Sequence, residues 1–237
     1  MTKPVAIGTL STDKCAVSGV SRDDWPQIAA LRDIGSLFYQ RGWSVGTSSN
    51  YSVVTSRDPF QLLITASGKD KRQLNSQDFV VVNEMGKRID PADPKPSAET
   101  LLHVMIAQQP HVGAVLHTHS LWCTLLSDLF ADKEAIIIEG YEMLKGLVGV
   151  TTHQHRELVY LFENNQDMAA LSQQIARRMT NHDRPIQHGF CLHRHGLYTW
   201  GGNLDEARRH VEIFEFLFEV LARRISIDPM NLQAVAP

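Results

Sequence analysis

Apolar positions along this chain switch between two periods, and each switch marks a change of element. Trp25, Ile28, Leu31, Ile34, Leu37 and Phe38 recur at three- and four-residue steps, the signature of one helical face, with Ser21-Arg22-Asp23-Asp24 as a cap before it and Gly42 as a stop after it. Short runs rich in β-branched and apolar residues follow at 51–55, 61–65 and 78–83, separated by Arg57-Asp58-Pro59 and Ser67-Gly68-Lys69-Asp70. A helix is predicted from Ser97, behind Pro96, carrying Leu101, Leu102, Met105 and Ile106 until Pro110 ends it. Beyond it the pattern predicts a strand over 112–117, a helix over 120–129, a strand over 135–138, a helix over 167–180 and a strand over 190–193. A final helix over 204–225 carries Val211, Phe214, Leu217, Phe218 and Leu221 in one stripe, suited to a core or a subunit contact. Helices and strands alternating in this way predict an α/β fold, a three-layer α/β/α sandwich around a mostly antiparallel central sheet.

Composition narrows the class without naming a function. At 237 residues and 43% hydrophobic content, the chain suffices for one well-cored domain over 1–237, with residues 1–20 expected to form a flexible N-terminal segment. A net charge of -3, with Lys and Arg dispersed, gives no basic stripe for nucleic acid. No run approaches a membrane span, and the opening MTKPVAIGTLSTDK lacks the apolar core of a signal peptide. Cys15, Cys123 and Cys191 are odd in number and far apart in sequence, as expected of reduced thiols in a cytoplasmic protein, with Cys123 and Cys191 as small core residues.

The apolar run 112–116 closes in His117-Thr118-His119, and 189–192 closes in His193-Arg194-His195-Gly196. In an extended chain, residues two apart face the same side, so His117 and His119 can reach one ion. A third imidazole from another strand end would complete the three-ligand pattern of a catalytic zinc. From spacing alone, a pair of core or hydrogen-bonded histidines stays open and is favoured. His153-Gln154-His155 repeats the pattern in a polar stretch and reads as surface or loop histidines. Gly46-Thr47-Ser48-Ser49-Asn50 and Thr65-Ala66-Ser67-Gly68-Lys69 offer hydroxyls, backbone N–H groups and one ammonium that can hold a phosphate, or are ordinary turns. Ser97 and Glu99 suit a helix start, and Glu142 with Lys145 can be a solvated pair.

Taken in order, GTSSN, TASGKDK, KPSAET, HTHS, GYEMLKG and HRHGLYTWG resemble the zinc-dependent class II sugar-phosphate aldolase superfamily, and within it the branch that dehydrates methylthioribulose 1-phosphate in methionine salvage. The resemblance runs from about Trp25 to Ile225. It implies an α/β/α sandwich, one Zn2+ per subunit on His117, His119 and His195, and a homotetramer with sites near subunit contacts. It implies that Thr47, Ser49, Asn50, Ser67, Gly68 and Ser97 lie near the phosphate of a small sugar-phosphate substrate. Glu99 falls where aldolases keep their catalytic carboxylate, and Glu142 where the dehydratases have an acid/base. Tyr198 and Trp200 are candidates for an apolar slot or for the core. Three other readings stay open: an aldolase or 4-epimerase that breaks or inverts a sugar phosphate, an adducin-head module that works by assembly without catalysis, and a metal- or ligand-binding module without turnover.

Overall fold

A computed structural model describes residues 25–228; the Ser21-Arg22-Asp23-Asp24 cap, the segment 1–20 and Cys15 fall outside them. Eight strands form one sheet: β1 Asn50–Arg57, β2 Phe60–Thr65, β3 Phe79–Val82, β4 Ala114–Thr118, β5 Ala135–Glu139, β6 Arg156–Phe162, β7 Gly189–Leu192 and β8 Gly196–Gly201. Their spatial order is β3-β2-β1-β4-β8-β7-β6-β5, antiparallel at every pairing except β6 with β7. Five helices flank it: α1 Trp25–Gln40, α2 Thr100–Ala107, α3 Leu121–Leu129, α4 Met168–Met179 and α5 Leu204–Ile227.

Period-two alternation sends each strand's side chains to two different cores. On one face Val115, Phe190, Leu192, Tyr198 and Trp200 pack with Leu102, Val104 and Ile106 of α2 and Leu171 and Ile175 of α4. On the other, Ala114 and Leu116 meet Ile28, Leu31 and Phe38 of α1, while Cys191 and Leu197 meet Phe214, Leu217 and Phe218 of α5. The helical stripe at Val211, Phe214, Leu217, Phe218 and Leu221 is therefore core. Tyr198 and Trp200 are core as well, at 0% and 3% exposure, because alternation on β8 turns both toward α2 and α4; neither lines an open slot.

The helix starts follow their caps. Ser120 Oγ accepts from Cys123 N at 3.0 Å, and Asp167 accepts from the N–H groups of Ala169 and Ala170. Two strands went unread in the sequence pattern. β6 opens on Arg156-Glu157, which looks polar, and β8 begins immediately after a three-residue turn that masks its start.

Candidate metal centre

β4 lies between β1 and β8, so His117 sits in register with Asn50 on one side and Tyr198 on the other. Its imidazole is fully buried and stacks on the Tyr198 ring, centroids 4.0 Å apart. His119 follows the strand end, held by its N–H to Trp43 O at 2.8 Å. His195 comes from the β7–β8 turn, where Arg194 adopts φ 51° and His195 N donates to Leu192 O. Gly196 makes that approach possible: a Cβ there would lie 2.0 Å from Thr118 O and 2.9 Å from His117 Cε1.

The three rings converge with the Glu99 carboxylate, their candidate ligand atoms all within 4.8 Å of one another. His195 Nε2 lies 3.2 Å from His119 Nε2 and 3.0 Å from Glu99 Oε1. His117 Nδ1 donates to Leu197 O at 2.9 Å, which leaves Nε2 as a buried lone pair with no hydrogen-bond partner. His195 Nδ1 faces Asn164 Oδ1 at 3.2 Å, so its Nε2 is likewise a lone pair aimed at the centre. Neutral imidazole nitrogens aimed at one point, with His117 and His195 each oriented by an oxygen behind the ring, are the donor set of a divalent transition ion. Burial holds His117 down to about 3 against the opposing pull of Glu99, and holds His119 down to about 2 with His117 and His195 adding to it, so both rings are neutral at neutral pH, the form in which an imidazole can bind a metal. Burial alone would push Glu99 up, but His117, His195 and His119 draw its carboxyl well below the usual range. Asn50 Nδ2 donates to Glu99 Oε2 at 2.7 Å and fixes it.

Above the cluster is a cavity of about 400 Å3. Thr47, Ser49, Asn50, Ser67, Gly68 and Ser97 all line it, together with Glu99, His119 and His195. Ser49 holds φ 72°, a left-handed conformation rare for serine that turns the 46–50 loop into the cavity. Lys69 does not join the lining: its ammonium pairs with Asp78 at 2.8 Å. Asn164, Gln166 and Met168, which the sequence reading did not single out, form part of the wall. Their signal was a polar Glu-Asn-Asn-Gln-Asp directly after an apolar run.

Glu142 is not among these residues. It opens a 3-10 turn, Glu142–Gly146, with its side chain 72% exposed, 2.7 Å from Lys145 Nζ and 3.7 Å from His153 Nδ1. The Lys145 hydrogen bond and charge lower its pKa. His193, beside the cluster in sequence, turns away to Glu163 at 3.0 Å. His155 is half-buried rather than a surface residue, 2.7 Å from the buried Glu157. No helix among the described residues is long and apolar enough to cross a membrane.

Residues 29–222 match the family described as Class II Aldolase and Adducin N-terminal domain. The chain is 45% identical over 191 residues to methylthioribulose-1-phosphate dehydratase of Marinobacter nauticus, covering 80% of this chain and 89% of that protein. It is 41% identical over 194 residues to the dehydratase of the same name from Picosynechococcus, covering 81% and 89%. Among solved structures, an L-fuculose 1-phosphate aldolase superposes with TM-score 0.70 at 21% identity over 88% of this chain and 89% of that one. The L-fuculose-1-phosphate aldolase of Thermus thermophilus superposes with TM-score 0.65 at 19% identity over 84% and 95%, which shows a shared fold.

Proposed function

Because the chain belongs to the class II aldolase and adducin N-terminal domain family, we propose that it is a metal-dependent lyase that dehydrates 5-methylthioribulose 1-phosphate to 2,3-diketo-5-methylthiopentyl 1-phosphate, a step of methionine salvage. The observation that carries this reading is the convergence of His117, His119, His195 and Glu99 at the floor of a hydroxyl-rich cavity. An assembly module without catalysis has no use for three imidazoles freed of protons and aimed at one point.

We assign the catalytic ion to His117, His119 and His195, one zinc at this centre in each subunit. When bound, it supplies positive charge opposite the carbonyl and hydroxyl oxygens on which negative charge develops. Thr47, Ser49, Asn50, Ser67, Gly68 and Ser97 hold the phosphate through hydroxyls and backbone N–H groups. That anchoring turns C3 toward its base and converts remote binding energy into orientation. Glu142 takes the C3 proton, and the same proton leaves with the C4 hydroxyl as water, so atoms balance and no redox cofactor is needed. Glu99, whose carboxyl lies well below the usual range and accepts from the Asn50 amide, is a poor acid; its task is to fix the rings and orient the substrate's hydroxyls.

Within one chain Glu142 is exposed, and so are the neighbouring apolar side chains of Met143 and Val148, at 41% and 49%. We therefore propose a homotetramer in which one subunit brings Glu142 to the cavity of the next, each subunit being a single domain of this family. A cytoplasmic location fits free thiols at Cys123 and Cys191. The test is incubation of purified protein with methylthioribulose 1-phosphate and resolution of the products by mass. Loss of one water supports the reading; two smaller fragments mean retro-aldol cleavage and overturn it.

A further inference from the structure

On the α5 side of the sheet, away from the cavity, His155, Glu157 and His188 form a second convergent group with ligand atoms within 4.8 Å of one another. His155 and Glu157 stand two apart where the chain enters β6, so extended backbone turns both to one side. His188 immediately precedes β7, the parallel neighbour of β6. His155 Nε2 lies 2.7 Å and His188 Nδ1 3.0 Å from the same oxygen, Glu157 Oε2. Glu157 is 1% exposed, yet its other oxygen, Oε1, is buried with no hydrogen-bond partner.

The tautomers point to a missing positive charge. His188 Nε2 lies 2.8 Å from Val148 O, which can only accept, so that nitrogen carries the proton. In a neutral ring Nδ1 is then a lone pair facing a carboxylate. A cation must lie between them, either a second proton on His188 or a metal ion. The arrangement repeats the one at His117, where one ring nitrogen donates to a backbone carbonyl and the other is free. A metal also accounts for the second imidazole on the same oxygen and for the unpartnered Oε1, which a bidentate carboxylate would use.

We propose that His155, Glu157 and His188 bind a second divalent ion of the zinc class. Two imidazoles and a carboxylate suit such an ion in preference to calcium or magnesium, which take oxygen ligands. His155 is 22% exposed at its side chain, so an ion and a completing water have a route in beside that ring. The site is structural. Through His188 it grips Val148, whose N–H also donates to His210 Nε2 at 3.1 Å, and so it fastens the segment just after Glu142–Gly146 to the sheet.

Metal content distinguishes this site from the one at His117. After loading with zinc and removal of free ion, the wild-type chain should hold two zinc ions, His155→Ala one, His119→Ala one, and the double variant none. His155 precedes its strand and is partly exposed, so its truncation should leave a folded protein, verified by circular dichroism. Zinc should also raise the Tm of His119→Ala but not that of the double variant. One ion in both wild type and His155→Ala overturns the second site and leaves a buried imidazolium–carboxylate pair in its place. Two ions in both wild type and His119→Ala would instead remove the cavity assignment.

Discussion

Glu99 and Glu142 are both carboxylates with an expected part in one reaction, and their surroundings are opposite. Glu99 is 14% exposed, hydrogen-bonded to Asn50 and ringed by three imidazoles, and its carboxyl lies well below the usual range. Glu142 is 72% exposed and holds Lys145 in solvent. One environment is complete within a single chain; the other, within one chain, is an ordinary surface ion pair. A proton-transfer group needs to be near neutral in affinity and shielded from water, whereas a group that fixes metal ligands needs to stay ionised. Burial among imidazoles equips Glu99 for the second task, and assembly is what would equip Glu142 for the first.

The sharpest way to break this contrast is at the rings. His119→Ala should abolish turnover and lower metal occupancy together, since a loss at the ligand itself should exceed the ~10–100-fold typical of the groups behind ligands. Metal content by elemental analysis and turnover by product mass check it. Full occupancy with full turnover would contradict the assignment.

Next come the carboxylates themselves. Glu142→Gln keeps shape but cannot accept a proton, so dehydration and exchange of a C3 deuterium with solvent should both fall by at least ~100-fold, with metal content and Tm unchanged. Glu99→Gln should cost less turnover and instead loosen the metal, because it removes the charge that the rings face. If Glu99→Gln abolishes deuterium exchange and Glu142→Gln does not, the roles are reversed.

A smaller effect should come from Asn164→Ala. It removes the oxygen behind His195 Nδ1 and frees the ring to rotate, weakening metal binding by about 10–100-fold as measured by competition with a chromophoric chelator. Unchanged affinity would mean that packing alone orients His195.

The legibility of these groups in the sequence followed how locally each was built. β4 is a buried strand with its imidazoles at the end, so period-two spacing was enough to pair His117 with His119. The helices predicted over 120–129 and 167–180 were legible from their apolar spacing, and in the fold Ser120 and Asp167 cap them. Asn164 and Gln166 reach the cavity from the loop between β6 and α4, and Met168 from the first turn of α4, a placement set by long-range sheet order that no local pattern carries. Tyr198 and Trp200 were readable in principle, since alternation with Leu197 and Thr199 assigns them to the core face once β8 is recognised. Glu142 marks where the single chain stops being informative.

A third carboxyl sharpens the comparison. Glu215 on α5 is buried without imidazoles, bonded to the Thr118 hydroxyl at 3.2 Å, and burial pushes it up from 4.5 to about 7 despite hydrogen bonds from Ser120 and Thr118. Between those two values the unfolded chain has released this proton and the folded chain retains it. Stability should therefore fall as pH rises from about 4.5 to about 7, by ~3 kcal/mol in total. Denaturant unfolding across that range should show the slope in wild type and lose it in Glu215→Gln. An identical slope in both would mean that Glu215 ionises normally in the fold.

The most direct test mixes the two halves of the site. His119→Ala and Glu142→Gln are each expected to be inactive alone. If each cavity draws its rings from one subunit and its base from another, co-refolding the two variants in equal amounts and assaying dehydration of methylthioribulose 1-phosphate should restore activity at about one site in four by random assortment. A mixture as inactive as its components would contradict a site shared between subunits.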